Sequence, residues 1–309
     1  MMPKMKQSTR CVKRIAVDIL MISALITLLV GITRLWRPFE RGFFCGDQSL
    51  MYPYHEDTVS VFMLRVITVA VPCVVFVIYE YAYLRTATSL DVQFLRVTVP
   101  AWLRGLYCAL ASYALGYLFV EITANMAKNV IGRPRPNFFD VCKPSIDCDA
   151  PEWQNRYIQS SDYHCTGQGS AHLLQDTRKS FLSGHSAITA FAMVYVALYL
   201  ESRMQWRGMR FLRHTLQFLA IMTSWFTALS RVTDYKHHWS DVLAGYSMGF
   251  IVAVVTWLWT TNLISRDQKH LPLPQHDVVL PTCQQSAPAA PLYEVAIGNN
   301  QQVAAPTTQ

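Results

Sequence analysis

Six stretches of this chain are long and apolar between charged or polar loops: residues 15–35, 61–84, 103–124, 185–200, 214–230 and 240–262. A membrane-crossing helix needs about 20 mostly apolar residues, and the pattern predicts six of them. The fourth and fifth are short, and the charged loops beside them place them as much as their length does. One such segment fits the core of a soluble protein; six in succession point to an all-α integral membrane protein. Composition agrees. The chain is 52% hydrophobic and 15% charged, with mean hydropathy +0.19, against about 25% charged residues in ordinary soluble domains. The first segment is too long for a signal peptide and no small-x-small cleavage site follows it, so it reads as a retained helix.

Lysine and arginine in short loops set the orientation. The N-terminal tail carries Lys4, Lys6, Arg10, Lys13 and Arg14. Arg85 and Arg96 follow the second segment, and Arg203, Arg207, Arg210 and Arg213 follow the fourth. Arg266 and Lys269 follow the last. Six crossings put all of these on one side, expected to be the cytoplasm, with both termini there. Arg34, Arg37 and Arg41 in the first outer loop run against the rule. The loops 36–60, 125–184 and 231–239 then face the extracellular or lumenal side. The net charge of +7 is a topology signal; no basic stripe with interleaved aromatics suggests nucleic acid. Domain organisation follows: a cytoplasmic tail 1–14, a six-helix membrane domain 15–262, and a Pro/Gln/Ala-rich tail 263–309 whose composition cannot bury a core. Cys283 in that tail reads as a bare thiol, with acylation as the alternative.

Cys45, Cys142, Cys148 and Cys165 lie in the outer loops, where an oxidising compartment permits disulfides; the pairing is not deducible from sequence. Cys73 and Cys108 lie in helices and read as inert apolar residues. No His/Cys spacing resembles a zinc site, and no Asn-x-Ser/Thr sequon occurs.

The chemistry concentrates in three outer-side stretches: KNVIGRPRP (128–136), the Ser183-Gly184-His185 of SFLSGHS, and SRVTDYKHHWSD (230–241). Lys128, Arg135 and Arg231 supply positive charge for phosphoryl oxygens, arginine as a fork and lysine as a point charge. Arg133 is an alternative to Arg135, which the spacing to Lys128 favours. Lys128 taken alone reads first as a lysine snorkelling at a helix end. Ser183 is a favoured N-cap residue, a helix start binds anions, and Gly184 lets backbone come close. His185 stands beside that site, placed to protonate a leaving alkoxide. His237 and Asp241 are four apart, one face of a helix. A carboxylate on one ring nitrogen fixes the tautomer and frees the other to attack. His238 is the rival nucleophile, only three residues from Asp241. Each stretch alone has a bland reading as a cap, a surface histidine or interfacial polar residues. Together, in this order and on one side, they describe a phosphate cradle with a histidine nucleophile.

These motifs resemble the lipid phosphate phosphatases of the type 2 phosphatidate phosphatase superfamily: Lys-x6-Arg-Pro, Ser-Gly-His, and Ser-Arg-x5-His-x3-Asp. The segments 41–60, 132–142, 178–186 and 230–245 are similar to its animal branch, and the likeness covers about residues 14–262. Leu182 stands where many members have proline, and the frequent outer-loop glycosylation site is missing. The resemblance implies that His237 attacks phosphorus to form a phosphohistidine, Asp241 orients it, and His185 protonates the departing oxygen. It implies that Lys128, Arg135, Ser183, Gly184 and Arg231 hold the phosphate, with no metal or other cofactor. Implied substrates are phosphatidate, giving diacylglycerol, and lysophosphatidate, sphingosine 1-phosphate and ceramide 1-phosphate. The expected setting is the lipid bilayer, with the plasma membrane as first choice and homo-oligomerisation left open. Two other classes compete. A catalytically silent relative acting as a membrane interaction protein conflicts with the complete motif set. A transporter or channel needs ionisable groups within the spans, whereas Asp18, Glu80 and Glu121 lie near segment ends.

Overall fold

The computed structural model describes residues 2–85, 92–94, 97–204 and 208–268. The chain runs through α1 (Met2–Arg34), β1 (Phe43–Phe44), α2 (Val61–Arg65), a π-helical turn Val66–Ala70 and α3 (Val71–Leu84). Then come β2 (Val92–Phe94), β3 (Val97–Val99), α4 (Ala101–Ile131), α5 (Phe138–Cys142), β4 (Tyr157–Ile158) and α6 (Ala171–Asp176). Three long helices follow: α7 (Gly184–Arg203), α8 (Arg210–Thr233) and α9 (Trp239–Gln268). All six apolar stretches are helical. Two small antiparallel pairs, β1 with β4 and β2 with β3, add strands that the apolar pattern did not indicate. The segment read as an N-terminal tail is helical from Met2. The greater part of the C-terminal tail, 269–309, lies outside the described residues, as do Arg96 and Arg207.

Among the described residues, four segments are long and apolar enough to cross a membrane: Ile15–Arg34, Val61–Leu84, Ala101–Ile131 and Trp239–Trp259. Helices α7 and α8 reach spanning length with a more polar composition, and packing explains why. Helix α7 is buried along most of its length, from Gly184 and Ser186 through Val196 to Tyr199 and Leu200. A helix enclosed by others tolerates small and polar residues. Helix α8 buries a small, polar stripe of Ser224, Thr227, Ala228 and Arg231 against the bundle. It turns Phe211, Phe218, Phe226 and Leu229 outward, the arrangement that lipid favours and water does not.

Rings fill the centre. Phe76 meets Tyr113 at 5.5 Å and Tyr199 at 4.6 Å, and Tyr113 meets Phe191 at 5.3 Å. The π-helical turn precedes Pro72, which has no N–H to give the Thr68 carbonyl; the Tyr113 hydroxyl donates to that carbonyl instead. At one end of the bundle the loops 36–60 and 132–183 form a small cap. There Phe43 packs against Phe138 and Tyr163 at 5.4 and 5.0 Å. Disulfides Cys45–Cys148 and Cys142–Cys165 staple it, closing a question that the sequence left open.

Helix α4 runs seven residues past the 124 boundary of its apolar segment, so Lys128 sits on its last turn and not in a loop. Gly132 ends it in the left-handed region, φ +57°. A Cβ there would lie 1.8 Å from the Phe39 carbonyl oxygen, so only glycine fits.

Candidate active site

The last turns of α4 and α8 and the first turns of α7 and α9 meet under the cap, and every residue singled out from the motifs lies there. Ser183 caps α7, its Oγ accepting from Ser186 N at 3.4 Å. Such a helix start leaves its first N–H groups without intrahelical partners. A Cβ on Gly184 would stand 3.0 Å from Lys128 Nζ, so the missing side chain lets the ammonium lie against the start of α7. Helix α9 comes equally close from the other side: a Cβ on Gly245 would be 2.5 Å from the Ser183 carbonyl oxygen. The Ser183 N–H donates to the Asp241 carbonyl at 3.1 Å.

His237 lies in the loop before α9 and is 3% exposed. Its Nδ1 is 2.6 Å from the Ser180 carbonyl oxygen. A carbonyl only accepts, so Nδ1 carries the proton and Nε2 keeps its lone pair. Burial, then Arg135, Lys128 and His185 facing it, pull His237 well below its ordinary 6.5. The ring is therefore held neutral among cations, a nucleophile with one free nitrogen. His185 is surrounded by Arg231, Lys128 and Arg135 and donates a hydrogen bond to the Val59 backbone. Its Nε2 is buried with no protein partner.

The arrangement of Asp241 corrects the sequence reading. His237 does not share a helical face with it, because α9 begins at Trp239. Oδ1 of Asp241 accepts from Arg133 at 2.6 Å. Oδ2 accepts from Ser180 Oγ at 2.6 Å and from His238 N and Nδ1, both at 3.2 Å. Both oxygens are occupied, and His237 is not among their partners. The carboxylate contacts the rival histidine, and Arg133, set aside in favour of Arg135, is its cation.

The two arginines carry counter-ions that the motifs did not announce. Arg135 donates to the Asp176 carbonyl at 2.9 Å and to its carboxylate at 3.0 Å. Arg231, 1% exposed, pairs with Asp57 at 3.1 Å and with Asp234, while its Nε is buried without a partner. Asp234 in turn accepts from Thr58 N at 2.9 Å and Thr58 Oγ1 at 2.6 Å. Burial alone would raise the Asp234 carboxyl; the Thr58 bonds and the Arg231 guanidinium outweigh it and hold it below its ordinary value. The Arg231 carbonyl accepts from both Lys236 N and His237 N at 3.1 Å, a tight turn in which Tyr235 takes φ +52°. Lys236 Nζ lies 3.8 Å from Asp57 and 3.8 Å over the Tyr54 ring. A general rule was available to find these acids: a buried arginine needs charge partners. Nothing in the sequence said that Asp57 and Asp234 would supply them.

The model of the PAP2 superfamily matches residues 106–265, a span that holds all three motifs. The chain belongs to the PAP2 superfamily. A Drosophila melanogaster protein whose name carries the words phosphatidate phosphatase is 42% identical over 275 residues, covering 85% of this chain and 72% of its own. Phospholipid phosphatase 2 of Homo sapiens is 34% identical over 237 residues, 75% of this chain and 78% of its own. Phospholipid phosphatase 1 of Rattus norvegicus is 36% identical over 241 residues, 75% and 79%. No solved structure matches the chain. With these relatives and its apolar helices, this PAP2 chain is a phosphatase and an integral membrane protein.

Proposed function

We propose that this phosphatase removes phosphate from lipid phosphates at the outer face of a membrane through a phosphohistidine on His237. The observation that carries the reading is the state of that ring: Nδ1 tied to the Ser180 carbonyl at 2.6 Å, the ring neutral and facing Lys128, Arg135 and His185. His237 Nε2 attacks phosphorus and the P–O ester bond breaks. His185, charged by the proton that the bound phosphate monoester brings, gives that proton to the departing alkoxide. Water then attacks the phosphohistidine, His185 takes the proton of that water, and inorganic phosphate leaves. Lys128, Arg135, Arg231, Ser183 and the backbone at Gly184 hold the phosphoryl oxygens, with Arg231 offering its unpartnered Nε. Preorganised donors of this kind supply the charge stabilisation that a metal ion supplies elsewhere. Asp241 organises the site around His237. The names of the relatives support phosphatidate as a substrate, yielding diacylglycerol. Lysophosphatidate, sphingosine 1-phosphate and ceramide 1-phosphate offer the same phosphate monoester beside an apolar chain.

The membrane arrangement belongs to the same proposal: six crossings, both termini cytoplasmic, and the site extracellular or lumenal at the plasma membrane. Helix α7 has 20 residues and α8 has 24, which at 1.5 Å per residue gives about 30 and 36 Å, enough to cross a hydrocarbon core. Phosphate release by the purified protein across a panel of lipid phosphates tests the reading. Activity is expected to survive excess EDTA and to be blocked by vanadate. Loss on chelation with recovery on adding Mg²⁺ would overturn the mechanism.

A further inference from the structure

We infer that Ser180 is a positioning residue of this centre, through which Asp241 acts on the nucleophilic His237. The inference rests on the phosphatase reading and deepens it. Ser180 is fully buried in the loop between α6 and α7 and makes three directed bonds. Its N–H donates to the Arg133 carbonyl at 3.0 Å. Its Oγ donates to Asp241 Oδ2 at 2.6 Å. Its carbonyl accepts from His237 Nδ1 at 2.6 Å. Asp241 makes no direct bond to His237, so the short covalent path from Oγ to the carbonyl of one residue joins the carboxylate to the imidazole.

Asp241 grips this loop at a second point, where its own carbonyl takes the Ser183 N–H at 3.1 Å. The segment from Ser180 to Ser183 is thus pinned at both ends by one residue of α9. The direction of the Ser180 carbonyl decides where His237 Nε2 points, because the ring is held through the opposite nitrogen. Attack on phosphorus needs that nitrogen in line with the leaving oxygen, and small misplacements are costly. The Ser180 hydroxyl is not a phosphate ligand, because its proton is spent on Asp241, with His238 Nδ1 a further 3.4 Å neighbour. Arg133 completes the frame: its guanidinium holds Asp241 Oδ1 at 2.6 Å while its carbonyl holds Ser180 N.

The test is a double-mutant cycle on the full-length protein in detergent–lipid micelles, read as lipid phosphate turnover. Ser180→Ala deletes one hydrogen bond to a charged group and is expected to lower kcat ~10–100-fold with KM unchanged. Acid-quenched phosphoenzyme is expected to form more slowly by the same factor. Ser180→Cys, similar in size with a weaker donor, is expected to fall between the two and carries the test if the alanine variant folds poorly. Asp241→Ala combined with Ser180→Ala is expected to be no slower than Asp241→Ala alone, because both changes cut one path. Multiplying losses in the double mutant would overturn the inference. So would a raised KM with kcat intact in Ser180→Ala. His237→Ala is the separate control: turnover surviving there refutes the nucleophile itself, whatever the serine variants show.

Discussion

Gly184→Ala isolates the contact between α7 and Lys128. The new methyl carbon would lie 3.0 Å from Nζ and 3.7 Å from Cε of Lys128, where apolar contact prefers about 3.5–4.0 Å. The neighbour is the tip of a flexible side chain, so the ammonium gives way and the backbone stays. Alanine is also the better helix former by up to about 1 kcal/mol, which leaves folding stability near that of the parent. The displaced ammonium, however, leaves the phosphate. A charged hydrogen bond contributes about 1.5–3 kcal/mol, or roughly 10–150-fold, and a partial displacement forfeits the lower part of that range. The expected result is a loss of about 10-fold in kcat/KM for lipid phosphate, with an unchanged thermal unfolding midpoint. In a Lys128→Ala background the same change is expected to do nothing more. Full activity in Gly184→Ala would refute the argument, as would a loss that multiplies in the lysine-free background. Gly245→Ala is the contrast. Its methyl meets the Ser183 carbonyl at 2.5 Å, a backbone atom that cannot swing aside, so stability and activity should fall together.

Other expectations follow from the same geometry. His237→Ala should abolish turnover and ³²P labelling; His238→Ala should keep substantial activity, and label lost from it but retained in His237→Ala would reverse the assignment. His185→Ala should slow alkyl phosphate monoesters by roughly 10²–10⁴-fold, and p-nitrophenyl phosphate, with its good leaving group, much less. His237 is held below 6.5 by burial and its cationic neighbours, so it stays neutral and nucleophilic as pH falls to 6.5 and just below. For the same reason the unfolded chain binds a proton there that the folded one refuses. The histidine therefore opposes folding increasingly as pH drops below about 6.5, which equilibrium unfolding at pH 5.5 and 7.5 would read. A tag within 145–165 should bind antibody on intact cells, and surface exposure of the C-terminal tail in its place would overturn the sidedness.

Much of the fold could be read from the chain because transfer into lipid is counted along the sequence. A long apolar run is costly to leave in water wherever its neighbours lie, and all six apolar segments are helical. Helix α7 was the hardest to recognise, since enclosure by other helices relaxes the demand for apolarity that exposure to lipid imposes. The motif residues were legible as a set because phosphate chemistry asks for particular types, and the fold brings them together at the ends of helices.

Their partners were not legible. The sequence spacing of His237 and Asp241 suggested a direct pair, yet the loop ending at Trp239 breaks the helical periodicity on which that inference depends. The choice between Arg133 and Arg135, the counter-ions Asp57, Asp176 and Asp234, and the bridging role of Ser180 all rest on contacts across distant segments. Asp57 and Arg231 are 174 residues apart; Ser180 and Asp241 are 61. By itself the sequence determined the six apolar helices and the motif residues that the fold gathers at one end of the bundle, since each follows from local composition and period. Only the tertiary structure decided which carboxylate faces which cation and which nitrogen of His237 is left free, because a hydrogen bond depends on tenths of an ångström between groups that chain order does not relate.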